Sequence, residues 1–193
     1  MQRRDRTLLR SLVVLVLAYG LLAVPWPGLG RAFVTVYAGA VQATLGNVLP
    51  MEGTSFRATE PGEPASPWDM AIRLPVAPGE TNVHGIRVHM RRVAYVPLAF
   101  LGALALAFPP GRSAHWFSIV ACPVALVALQ AVALLSVFTT RGLVDLGIVG
   151  NVIVGLVSHA FFEAPGMGFA IPGLLWALLA RPFEGWATSL RLA

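Results

Sequence analysis

The sequence contains no lysine; all fourteen of its basic residues are arginine. It has one cysteine, Cys122, so neither a disulfide nor a cysteine-rich metal site can form within a single chain. Charge of either sign is scarce. Only 12% of the 193 residues are charged, against about 25% in an ordinary soluble domain, while 56% are hydrophobic. A chain this apolar carries more greasy surface than one small core can hide, which predicts lipid as its second solvent. Nine acidic residues leave a net charge of +5, and four arginines (Arg3, Arg4, Arg6, Arg10) crowd the N-terminus. No aromatic-interleaved basic surface follows them, so the cluster reads as a membrane-topology signal and no nucleic-acid partner is expected.

Residues 1–25 form a basic head and a first transmembrane helix, its apolar run over 8–24 being about 17 residues, near the lower limit for a span. Ala18-Tyr19-Gly20 and Val24-Pro25-Trp26-Pro27 make a poor signal-cleavage site, so an uncleaved anchor is expected. The positive-inside rule then puts the N-terminus in the cytoplasm. It places residues 26–92 outside, in a periplasm.

That outer module reads as an amphipathic helix followed by a small antiparallel sheet. Over 31–49, Phe33, Val36, Tyr37, Ala40, Val41, Thr44, Leu45 and Val48 recur at helical spacings. Strand composition appears over 54–59. Trp68, Met70, Ile72 and Leu74 then alternate with Asp69, Ala71 and Arg73, and Ile86, Val88 and Met90 alternate with Arg87, His89 and Arg91. Pro- and Gly-rich turns at 61–64 and 75–80 separate these strands.

Residues 93–193 read as a transmembrane helical region with spans at 93–108 and 116–138. An amphipathic segment at 144–162 lies at the outer interface, and a short span at 169–179 follows. The predicted fold class is a mainly α membrane protein with four transmembrane helices and a small extracytoplasmic α+β module. Five spans are the alternative. Four place Arg181 and Arg191 inside, as the charge rule prefers.

Candidate chemistry is sparse. Cys122 invites a thiol-transpeptidase reading, but Arg141 lies nineteen residues further along, about 28 Å on the same helix, and a lone Cys before Pro123 reads as a small buried hydrophobe. His84 and His89, with Glu80, could be offered to a metal. Positions five apart on a strand face opposite sides, however, so no metal and no cofactor is expected. Asp145, Asn151, His159 and Glu163 are ionisable or polar groups in an apolar setting and form a possible polar membrane site. Arg87, Arg91 and Arg92, with Trp68 and Tyr95, form a partner- or lipid-binding set beside the second span.

The run from Trp68-Asp69 through Arg91-Arg92-Val93-Ala94-Tyr95-Val96-Pro97-Leu98 to Ala107-Phe108-Pro109, with the closing Ile171-Pro172-Gly173-Leu174-Leu175-Trp176, resembles the exosortase-associated bacterial inner-membrane proteins. The resemblance lies in layout and carries no catalytic motif. It implies a non-catalytic polytopic accessory protein, with membrane lipids and a membrane protein as partners. The outer module would contact an exported protein or a membrane-embedded partner enzyme in an exosortase-type protein-sorting system. The alternatives are a membrane enzyme or transporter-like protein using Asp145, His159 and Glu163, or a structural subunit of a larger membrane complex.

Overall fold

The computed structural model describes residues 2–26, 28–45, 54–60, 65–75, 83–109, 115–140, 144–163 and 166–180. Glu80, Arg141, Arg181 and Arg191 lie outside the described residues, as does the side chain of His84. In chain order the elements are α1 (Gln2–Ala23), α2 (Leu29–Leu45), β1 (Ser55–Ala58), β2 (Asp69–Pro75), β3 (Val83–His89), α3 (Val96–Ala107), α4 (His115–Thr139), α5 (Gly147–Ser158) and α6 (Met167–Leu175). Wide π-helical turns precede α3 (Arg91–Tyr95), follow α5 (His159–Glu163) and extend α6 (Trp176–Ala180).

The expectation of four or five membrane-spanning helices is not met. Among the described residues only one helix is long and apolar enough to cross a bilayer, α4 over Ser118–Thr139. Its 22 residues reach about 33 Å, against a hydrocarbon core of about 30 Å. The other apolar stretches fall short. Leu8–Ala23 covers only about 24 Å, and Gly147–Phe161 and Met167–Ala180 cover less. The run expected to span over 93–108 opens as a π turn packed against its neighbours, leaving α3 with 12 straight helical residues, about 18 Å. Hydropathy counts apolar residues without registering where the helix is interrupted, and those interruptions decide the reach.

The small sheet is present where the alternation predicts it. Three antiparallel strands lie in the order β1-β2-β3, registered through Phe56↔Ile72↔Ile86 and Ala58↔Met70↔Val88. Period-two alternation sends these residues to one face, where Met70 and Ile72 are fully buried. That face packs on Val34, Tyr37, Ala38 and Val41 of α2 and on Leu134 and Phe138 of α4. The Phe56 and Phe138 rings lie 6.0 Å apart, so the core beneath the sheet continues into the last turns of α4. Two polar pins hold α2 on β1: Arg31 Nη2 donates to Thr59 O at 3.1 Å, and Phe56 N donates to Gln42 Oε1 at 2.9 Å.

A second cluster joins α3, α4 and α6 through Leu101, Cys122, Leu126, Phe161 and Trp176. Trp176 Nε1 donates to Phe108 O at 3.0 Å, satisfying a carbonyl at the end of α3. Edge-to-face contacts among Tyr19, Phe100 and Phe169, with centroids 5.2–5.8 Å apart, tie α1, α3 and α6 together. Against these packed faces stands a broad aliphatic exterior. On α5, Ile148, Val149 and Leu156 are each at least two-thirds exposed, and only Val154 is buried.

At the margin of the first core, Tyr37 Oη of α2 donates to Gln130 Oε1 of α4 at 3.1 Å, both side chains buried. Burial pushes the Tyr37 phenol well above its usual range, so it stays a donor throughout accessible pH. Gln130 is fully buried and its Nε2 has no partner among the described residues. Tyr37→Phe should therefore destabilise the protein by about 1–3 kcal/mol, since it strands the amide oxygen as well. Tyr37→Phe combined with Gln130→Leu should recover most of that loss. Denaturation of the detergent-purified single and double variants checks this, and a double variant no better than the single would refute it.

Candidate functional site

The face of the sheet turned away from the core is built by the complementary set of strand residues. Register places Ser55, Arg73 and Gly85 in one row and Arg57, Ala71 and Arg87 in the next. Each arginine therefore has small residues directly opposite it, and the three guanidiniums sit on diagonals of the face. Direct cross-strand repulsion is avoided while the positive charge is pooled. Glu60 pairs with Arg57 at one margin. At the other, Asp69 and His89 are cross-strand partners: Asp69 Oδ1 lies 2.7 Å from His89 Nδ1, and its second oxygen accepts from Ser66 N at 3.0 Å. A carboxylate can only accept, so Nδ1 carries the proton of that bond and Nε2 is left on the opposite side of the ring.

The five residues expected to bind a partner or lipid divide into two groups. Trp68, Arg91 and Tyr95 turn inward and form a clamp. Trp68 is buried, with its ring 4.7 Å from Tyr95 and 6.3 Å from Phe33, and the Arg91 guanidinium lies 5.9 Å over it. Arg91 Nη2 also donates to Ala23 O at 3.3 Å, and Tyr95 Oη donates to Leu22 O, so both hold the C-terminal end of α1. Burial raises the Tyr95 phenol pKa, and the nearby Arg91 charge partly offsets that rise. The clamp needs a glycine at position 30: a Cβ there would stand 2.8 Å from Trp68 Cε2.

Arg87 and Arg92 turn outward instead, although Arg92 adjoins Arg91 in the chain. A π turn carries more residues per revolution than an α turn, and across Arg91–Tyr95 it buries Val93 and Ala94 while leaving Arg92 exposed. Arg87 and Arg92, with Val88, His89, Val93, Ser136, Val137 and Phe161, line an open cleft of about 330 Å³. Ser136 is already committed, donating to Ala133 O at 2.7 Å and accepting from Ser158 Oγ at 2.8 Å. It acts as a strut between α4 and α5.

Asp145, Asn151, His159 and Glu163 are all exposed, and they do not converge. Asp145 Oδ1 accepts from Gly147 N at 2.9 Å and from Asn151 Nδ2 at 3.1 Å, closing the N-terminal end of α5. His159 Nδ1 and Glu163 Oε2 pair at 2.7 Å, one turn apart at the other end. Eight residues separate Asn151 from His159, about 12 Å along the axis. The polar face expected over 144–162 is replaced by exposed aliphatic side chains, with the polar groups spent locally at the two helix ends. Among the described residues no three of His, Cys, Asp and Glu gather where a metal could bind.

Arg57 and Arg73 belong to the outward basic face and were not singled out from sequence. Arg73 lay in the polar phase of its strand, which was the available signal, but the pairing that sets it beside Arg57 and Arg87 is non-local. Comparison of the chain with protein-family models, with curated proteins and with solved structures finds no match.

The clamp makes a direct prediction. Gly30→Ala should cost about 1–3 kcal/mol of stability by overpacking against Trp68. Gly39→Ala on the same helix, where a Cβ meets nothing within 4 Å, should gain about 0.5–1 kcal/mol. Paired denaturation curves give both values, and equal effects at the two sites would exclude a clamp role for Trp68.

Proposed function

We propose that this chain is a non-catalytic accessory protein of a bacterial inner membrane. The outer face of its small sheet contacts an exported protein or a membrane-embedded partner enzyme through an acidic surface of that partner. The observation that carries the reading is the pair of exposed arginines Arg73 and Arg87, set diagonally on a face supported from behind by α2 and α4, with the partly buried Arg57, paired to Glu60, beside them. Pooled guanidiniums on a rigid sheet steer an acidic partner and fix its register more than they add raw affinity. The exposed aliphatic side chains of α1 and α5 support contact with lipid or with another membrane protein. α4 is the one described helix with the reach to cross the bilayer.

The resemblance of the 68–109 and 171–176 runs to exosortase-associated proteins supports a role beside a protein-sorting enzyme. The polar pairs of α5 lend nothing to a relay, because each is closed on itself at its own end of the helix.

A photo-reactive residue placed at Arg73 should cross-link, in intact membranes, to one membrane-embedded or exported protein. Arg57→Glu with Arg73→Glu should cut co-purification of that protein at least about tenfold while the chain stays in the membrane fraction. Undiminished co-purification after the double charge reversal would sink the reading.

A further inference from the structure

A second basic feature, sharing Arg87 with the sheet face, lies at the outer edge of β3. Among the described residues β3 pairs only with β2, and its other edge faces the cleft of about 330 Å³ shared with the Arg91–Tyr95 turn, the end of α4 and Phe161. That volume is at the lower end of the range for small-molecule sites. Its rim is cationic and its floor apolar: Arg87, Arg92 and His89 stand over Val88, Val93, Val137 and Phe161. Arg92 is exposed and makes no hydrogen bond or ion pair among the described residues.

The cleft lies where the helices end. Arg91, next to Arg92, bonds the Ala23 carbonyl at the end of α1, and α3 begins four residues after Arg92 at Val96. Ser136 is three residues, about 4.5 Å, before the end of the one described helix long and apolar enough to span a bilayer. With α4 across a bilayer, that end lies near the level of the lipid phosphates.

We infer that this cleft is a binding site for a phosphate group, held by the guanidiniums of Arg87 and Arg92. Guanidiniums match phosphate oxygens through paired N–H donors, and two of them from two elements suit a tetrahedral oxyanion with several free oxygens. The chemistry is shared by a phospholipid headgroup and by free phosphate. The apolar floor accommodates the glycerol and first methylenes of a lipid. The inference does not rest on the partner reading, because it turns on Arg92 and not on the Arg57–Arg73 face.

The test uses the full chain in neutral detergent, titrated with dihexanoyl phosphatidylglycerol, with dihexanoylglycerol and with inorganic phosphate. The phosphatidylglycerol should bind saturably and the phosphate-free diglyceride should not. Arg92→Gln should weaken binding about tenfold, whereas Arg73→Gln, on the same sheet but outside the cleft, should leave it within about twofold. Inorganic phosphate matching the lipid in affinity would identify a free oxyanion as the ligand. Phosphate that competes only weakly would identify the lipid headgroup. Binding unchanged by Arg92→Gln, binding weakened equally by Arg73→Gln, or no binding of either phosphate probe to the folded protein would each overturn the inference.

Discussion

Trp68 pressed against the bare backbone of Gly30 is the contact on which the rest of the arrangement depends. A three-stranded sheet with one helix over it is close to the minimum that is stable in water. This sheet has β1 of only four residues. Its indole fills the space between α2 and the turn into α3, stacks near Phe33 and Tyr95, and carries the Arg91 guanidinium on its face. Burying so large a ring is worth about 1.5–3 kcal/mol, and the cation over it adds about 1 kcal/mol. Through Arg91 and Tyr95 the same contact reaches the last carbonyls of α1. Four elements remote in sequence are thereby fixed at one point.

Once that point is fixed, the division between buried and presented charge follows from local geometry. Strand alternation turns Met70, Ile72 and Val88 inward and Arg73 and Arg87 outward. The π turn then separates two neighbouring arginines: Arg91 completes the clamp, and Arg92 is delivered to the mouth of the cleft. The basic surface is therefore mounted on a braced scaffold. A rigid mount is what a charge array needs if it is to select a partner and not merely attract anions.

How much of this was legible beforehand depends on the range of the interaction concerned. Alternation at Trp68, Met70, Ile72 and Leu74 is a property of seven consecutive residues, and it located β2 without any knowledge of its neighbours. The long apolar run around 116–138 likewise located α4. Of the other expected spans, 8–24 is simply short, while 93–108 opens on a widened turn at Arg91–Tyr95 and 169–179 runs into another at Trp176–Ala180, positions that composition does not contain. Asp145 and His159 looked like members of one site because both are ionisable groups in an apolar stretch. Each instead found a partner within a few residues, the nearest satisfaction available to a polar group.

By itself, the sequence determined the elements: a basic N-terminal helix, an amphipathic second helix, three alternating strands and one long apolar helix. All of these are written in periodicities of two to four residues. Tertiary structure alone decided which arginines share a face, because Arg57 and Arg87, two strands apart across Ala71, are set beside Arg73 only through the register of β1, β2 and β3. It also decided that Trp68 and Arg91 brace the fold, because their partners Gly30 and Ala23 lie 38 and 68 residues away in the chain. Side-chain periodicity is local, whereas charge pooling and close packing are sums over strangers in sequence.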